Sequence, residues 1–294
     1  MNPKFGMILA KLGEGVEYAD IEECSVQQYE ALNPGSKQRK QKMKKILAFA
    51  AVAAIGSAMA VESANIVGYN TQDKSGSQYV SMSPAFITAG SEGTFKLSDI
   101  VLDGGDATGD NIQVLEPAAA TVSATYVYVS AAQAAEWGDA SYQGWYNTDM
   151  DTSMDDVTFP VGTAFLGNFG TKTVRPTYAG QVVDGAVEMD CTGKQYVMFG
   201  NPVPRAITLG EIVMDGGDAT GDNVQVLDPA DATVSQTYVY VSAAQAAEWG
   251  DASYQGWYNT DMDTSMNDVE VGIGDAFLGN FGTKSIKITF PTAL

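Results

Sequence analysis

Histidine is absent from all 294 residues. That absence removes Ser-His-Asp and Cys-His arrangements, the commonest general base at neutral pH, and most zinc sites. Cysteine occurs only as Cys24 and Cys191. Basic residues are scarce, with 16 Lys/Arg against 36 Asp/Glu and a net charge of −20. A surface this acidic repels phosphate backbones and anionic bilayers, so nucleic acid is a poor partner. No apolar run approaches the roughly 18 residues that a membrane helix needs. No phosphate loop or dinucleotide fingerprint is found. Gly104-Gly105-Asp106 lacks the following lysine and is ringed by carboxylates. What remains is globular in composition, with 45% hydrophobic and 18% charged residues.

One shorter apolar segment is informative. Met43-Lys44-Lys45 is a basic start, Ile46 to Ile55 is uninterruptedly apolar, and Gly56-Ser57-Ala58-Met59-Ala60 ends in a small-x-small pattern. This three-part layout is that of a secretory signal peptide cleaved after Ala60. The expectation is therefore a signal peptide over 43–60 and export to the periplasm, cell surface or medium. Residues 1–42 are read as an upstream extension, with translation starting at Met43. Beyond residue 60 there are 8 basic and 30 acidic residues, a net charge of −22, and Cys191 is the one cysteine. Export would permit disulfides, but a single thiol cannot form one within the chain. Beside Asp190 it can cross-link two subunits or be a small buried hydrophobe.

The chain repeats itself. Thr125 to Met154 recurs letter for letter as Thr237 to Met266. Over the wider block, Asp103 to Lys172 against Asp215 to Lys284, only 10 of 70 positions differ. Similarity fades but persists upstream, where Gln78-Tyr79-Val80 answers Gln195-Tyr196-Val197. Each unit is of ordinary domain size and too long for a solenoid repeat. Two tandem domains are expected, 61–178 and 179–294.

Within a unit the pattern is mostly β. Ala64 to Tyr69, Gln78 to Ser81, Asn111 to Leu115, Thr125 to Val129, Gly144 to Tyr146, Val157 to Phe159 and Ala164 to Leu166 read as short strands. Gly167-Asn168 reads as a turn closing the last of them. In Thr125 to Val129 the tyrosines share one face and the valines the other. Ser130 to Trp137 is the one helical signal, with Ser130 as N-cap and Gly138 as stop. The fold class expected is all-β: two tandem antiparallel β-sandwich or small-barrel domains, each with one short helix.

Without histidine, side-chain chemistry falls to carboxylates. Asp149, Asp151, Ser153 and Asp155 set oxygens at alternate positions, and Asp261, Asp263, Ser265 and Asn267 repeat them. Hard oxygen ligands of this kind suit calcium, although Met154 and Pro160 break an EF-hand pattern. A weaker calcium candidate is Asp103, Asp106 and Asp110, with Asp215, Asp218 and Asp222 in the second copy. The plain alternative is a solvated acidic turn, where Asp, Asn and Gly are favoured anyway. Paired carboxylates also serve glycoside hydrolysis, but duplication of the same acids argues against a single catalytic cleft. Aromatics are the other concentration. Tyr126, Tyr128, Trp137, Tyr142, Trp145, Tyr146, Phe165 and Phe169 all recur. Most are expected in the core, while exposed Trp and Tyr would stack on sugar rings. Trp145 and Tyr146 point to opposite faces of a strand, so one of the two is expected to be exposed.

The segment Val61 to Asn70, Gly200-Asn201-Pro202, the strand Gly109 to Val114, Gly-Trp-Tyr and Gly162 to Leu166 resemble motifs of signal-peptide-bearing secreted β-repeat proteins of Verrucomicrobia, Kiritimatiellae and Lentisphaerae. The first copy departs from the pattern at Ser81-Met82-Ser83-Pro84. The resemblance implies export and a β repeat, with no catalytic residues to carry over. The functional expectation is a non-enzymatic structural or interaction subunit of the cell surface, a matrix or a filament. Self-association would run through a strand such as Ser285 to Phe290. The alternative is a bivalent glycan-binding module that uses calcium. Intact mass of the exported protein is predicted to start at Val61; a mature product that retains Cys24 would refute the signal assignment.

Overall fold

The computed structural model describes residues 67–170, 173–282 and 285–293. The signal segment 43–60, the upstream residues 1–42 and the start of the strand expected at Ala64 lie outside them. The described chain is nearly all β. The first copy contributes β1 (Val67–Thr71), β2 (Tyr79–Met82), β3 (Thr94–Lys96), β4 (Ile100–Asp103), β5 (Asn111–Leu115), β6 (Val122–Val129), β7 (Gly144–Tyr146), β8 (Thr158–Pro160), β9 (Phe165–Asn168) and β10 (Arg175–Gln181). The second contributes β11 (Val187–Asp190), β12 (Tyr196–Gly200), β13 (Ile207–Thr208), β14 (Val213–Asp215), β15 (Asn223–Leu227), β16 (Val234–Val241), β17 (Gly256–Tyr258), β18 (Glu270–Val271), β19 (Ala276–Asn280) and β20 (Lys287–Phe290). Helices α1 (Ala131–Glu136) and α2 (Ala243–Glu248) follow β6 and β16.

Every sheet is antiparallel and takes its strands from one copy. The orders are β1-β10-β4 and β11-β20-β14, then β2-β9-β5-β6-β7 and β12-β19-β15-β16-β17, with the ribbons β3-β8 and β13-β18. The four larger sheets form a ring of four small blades. This ring of blades stands in place of the expected sandwich or small barrel, and among the described residues no sheet closes on itself, each keeping two edges.

Local sequence explains the elements. Tyr126 and Tyr128 of β6 enter the core that holds Trp145 and Phe165. Val127 and Val129, on the other face, pack with Ala134 of α1. Helix α1 begins where the Ser130 side chain accepts from the Gln133 N–H at 3.2 Å and stops before Gly138 at φ 83°. The turn expected at Gly167-Asn168 is a correction, since both residues continue β9. Gly167 stands there because the Phe169 ring covers it: a Cβ would meet Phe169 Cζ at 2.6 Å. Trp145 is fully buried and Tyr146 half-buried, so neither takes the exposed place expected for one of them. The strand foreseen in Ser285 to Phe290 is not free for a neighbour. It becomes β20, paired on both sides by β11 and β14.

The two copies do not separate into independent bodies. The described residues form one compact unit. Strand β10, which spans the expected boundary at 178–179, belongs by pairing to the first copy. The copies are joined by reciprocal backbone bonds. Tyr79 N–H donates to Pro229 O at 2.9 Å, and Tyr196 N–H donates to Pro117 O at 2.8 Å. Ser83 N–H reaches Gly274 O and Gly200 N–H reaches Gly162 O, both at 3.0 Å. Each bond in these pairs is its mate with the copies exchanged, the signature of a pseudo-two-fold contact. Ile87 and Val161 of the first copy pack into the second copy's core. Ala164, Met198, Ala276 and Leu278 form a cluster of their own across the junction.

Ser83 and Gly200 are mates and meet at the axis. A Cβ on Gly200 would lie 2.4 Å from Ser83 Cβ and 2.6 Å from Asp275 O. Gly200→Ala is therefore predicted to cost about 1–3 kcal/mol by overpacking, which lowers Tm by roughly 2–4 °C per kcal/mol at this chain size. Gly109→Ala, where a Cβ meets nothing within 4 Å, should melt close to the parent. Equal melting of the two variants in a thermal scan would contradict the crowded axis.

Candidate functional site

The residues singled out from the sequence lie in two loops and one surface pair, all present twice. The first loop follows β4. Asp110 is buried and accepts from Asp106 N–H at 2.8 Å. Asp106 Oδ1 accepts from Thr108 N–H at 2.9 Å, Thr108 Oγ1 at 2.7 Å and Gln133 Nε2 of α1 at 3.0 Å. Those bonds, the Thr108 backbone first, hold the Asp106 carboxyl below the usual aspartate range. Gln133 also accepts from Ala107 N–H at 3.1 Å, so the loop is clasped to the helix. In the second copy Asp218, Asp222 and Gln245 repeat the arrangement. Asp103 and Asp215 are exposed at the ends of β4 and β14.

The second loop follows β7. Asn147 closes it: its Oδ1 accepts from the Asp151 and Thr152 N–H groups, and its Nδ2 donates to Asp151 Oδ1 at 2.7 Å. Asp151 also accepts from Thr152 Oγ1 at 2.8 Å. The Asn147 bond, then the Thr152 bond, draw the Asp151 carboxyl down from its ordinary value. Met150 sits in the left-handed region at φ 56° to make the turn. Asp263 and Asn259 do the same in the second copy. Asp149 and Asp261 point to solvent.

Asp155 has a different task. Its Oδ1 accepts from Trp145 N–H at 2.8 Å, and Ser153 Oγ donates to its Oδ2 at 3.2 Å. Gly144 leaves room for it: φ is 144° and a Cβ would come within 2.8 Å of the carboxylate. In the second copy Asn267 Oδ1 accepts from Trp257 N–H at 2.9 Å. The position thus calls for an acceptor, with or without charge. The carboxylates expected to gather around calcium are instead distributed along their loops as hydrogen-bond acceptors. Among the described residues no three acidic or thiol side chains come together as a metal-ligand group. Cys191 lies in the second copy's core, fully buried, and burial pushes its thiol up to about 11. It is the small buried hydrophobe, placed beyond the reach of a neighbouring subunit.

The surface pair is Trp137, the C-cap of α1, with Tyr142. Their rings meet edge to face, 6.2 Å apart, and each is nearly half exposed. Trp249 and Tyr254 repeat this at 6.1 Å. The other recurring aromatics are buried or half-buried. Near the first pair lies an open cleft of about 410 Å³ between the β4 loop and α1, lined by Asp103, Asp106, Tyr128, Gln133, Glu136 and Gln143. Polar side chains ring it, and Gln143 Nε2 donates to Tyr128 OH at 3.3 Å. Comparison with family models, with curated proteins and with solved structures finds no match to this chain.

The acceptor role of Asp155 makes a clear prediction. Asp155→Asn should leave Tm within about a degree of the parent, because the Trp145 N–H keeps its partner. Asp155→Ala leaves that buried N–H unsatisfied and should cost about 1–3 kcal/mol, read by chemical denaturation. A calcium-ligand role would reverse the first result, since loss of the charge would weaken binding and abolish any calcium-dependent rise in Tm.

Proposed function

We propose that this chain is an exported, non-enzymatic β-repeat protein that works through surface contacts, as a structural or interaction subunit outside the cell. The observation that carries this reading is the condition of its acidic groups. Asp106, Asp110, Asp151 and Asp155 spend oxygens on their own loops in the first copy, and the same bonds recur in the second. Groups so committed hold turns. They are poorly placed to shuttle a proton to a substrate. The absence of histidine from the sequence and the signal-like segment 43–60 support the same reading. Labelling intact cells and culture fluid of the native host with antibody tests the location: the protein is expected outside the inner membrane, and its confinement to cytoplasm would end the proposal.

A second reading is favoured by one observation, the repeated exposed Trp–Tyr pair. On this reading the two pairs bind glycan bivalently, apolar sugar faces resting on Trp137 and Trp249. Calcium enters here through the exposed Asp149 and Asp261. On a glycan array run with calcium and with chelator, Trp137→Ala alone is expected to lose binding about 10²-fold through lost avidity. The double Trp137→Ala, Trp249→Ala variant should lose all of it. Retention by the double variant would remove the aromatic pairs from the account, and equal binding in chelator would remove calcium.

A further inference from the structure

Among the described residues, four buried side-chain atoms have no hydrogen-bond partner within the protein: Asn70 Nδ2, Gln72 Oε1, Ser81 Oγ and Tyr178 OH. All four belong to the first copy, and the second copy carries an apolar residue at each equivalent place. Register makes the match. Asn70 pairs with Tyr178 as Val187 pairs with Phe290, and Ser81 pairs with Leu166 as Met198 pairs with Leu278. Gln72, two residues past Asn70, answers Met189, two past Val187. Val187 and Phe290 are buried in the second copy's core, with Met189 packed against it. Apolar side chains therefore fit these places, and the first copy departs from them each time.

Three of the four share one face. Asn70 stands opposite Tyr178 in the ladder, and Gln72 follows on the same side of β1. The other side of β1 turns outward, with Val67 and Tyr69 exposed. The strand is thus polar within and apolar without, the reverse of β11, where Glu188 and Asp190 face out. A slip of one residue along β10 would exchange the two faces, but Phe86 forbids it. A Cβ at Gly68 would meet the Phe86 ring at 2.7 Å, so neither Val67 nor Tyr69 can take that place. The register holds the polar face inward.

An unpaired buried donor or acceptor costs as much as a hydrogen bond contributes, or more, so three on one face call for a partner. None carries a formal charge. Asn70 offers a donor, Gln72 an acceptor, and the Tyr178 hydroxyl, whose pKa burial pushes up, offers either. The complement is small, neutral and able both to donate and to accept. The row also has a wet end. Lys74, next on the same face, keeps 21% of its side chain exposed and lies 3.9 Å from Asp275 of the second copy. We propose that the inner face of β1 is a binding site for ordered water, which enters beside Lys74 and Asp275 and partners Gln72 Oε1, Asn70 Nδ2 and Tyr178 OH. The equivalent face of β11 stays dry. This inference is independent of the subunit reading above.

The exported full-length chain serves for the test. Magnetic relaxation dispersion of water oxygen detects internal water that stays longer than the protein takes to tumble. Giving the trio the second copy's residues, Asn70→Val, Gln72→Met and Tyr178→Phe together, should lower the dispersion amplitude below that of the parent. Tyr178→Phe alone should lower Tm by roughly 2–4 °C, the shift of one ordinary hydrogen bond at this chain size. Undiminished dispersion in a folded triple variant overturns the site. So does a Tyr178→Phe variant that melts at or above the parent, the result expected of an unpaired hydroxyl, and this single change decides the matter even where the triple variant fails to fold. An organic ligand held in place of water would add its mass to the folded protein in native mass spectrometry, and that too would overturn the assignment to water.

Discussion

The structure hangs on the exchange of backbone bonds between the two copies. Strands β2 and β12 are the outer strands of their five-stranded sheets, and unpaired edges cost stability or invite aggregation. Here each copy covers the other's edge. Tyr79 and Tyr196 donate across the junction to Pro229 and Pro117, and Ser83 and Gly200 donate to Gly274 and Gly162. The Gln72 side chain reaches across to Ile273 O, and Lys74 sits 3.9 Å from Asp275. A repeat that looks divisible in sequence is therefore one body in space. Removing either copy would strip the other of backbone partners and of the apolar residues that complete its core.

The acidic loops obey the same economy. Of the carboxylates that read as ligands from spacing alone, Asp106, Asp110, Asp151 and Asp155 are positioned by local bonds, as are Asp218, Asp222 and Asp263 in the second copy, and several of those bonds run to the chain's own N–H groups. The exchange of Asp155 for Asn267 with the hydrogen bond kept is the most direct sign. Net charge then follows from a preference for short polar acceptors in tight turns, multiplied by duplication. Acidity in this protein is first a property of its turns.

Much of the fold was legible where side-chain order and local geometry coincide. The alternation in Thr125 to Val129 placed Tyr126 and Tyr128 opposite Val127 and Val129, and the Ser130 cap and Gly138 stop marked the ends of α1. Reading failed where long-range contacts decide. Gly167 looks like a turn residue, yet it lies mid-strand because a ring two residues on needs its space. Ser285 to Phe290 was recognisable as a strand, but its partners are fixed by β11 and β14, far away in the chain. The site was harder still. Eight recurring aromatics look alike in sequence, and only their place at the end of α1 leaves Trp137 and Tyr142 half in solvent.

The crowding at the pseudo-two-fold axis has a bearing on how the copies find each other. Nearly identical tandem units risk docking with the wrong mate while several chains fold together. Ser83 and Gly200 face one another with room for one Cβ between them. A first unit docking on another first unit would bring two serines to the same spot, with too little space for both. A first unit docking on a second meets glycine and fits. The single difference between Ser83 and Gly200 thus works against pairing of two first units, while two second units, with glycine at both places, would meet no such clash.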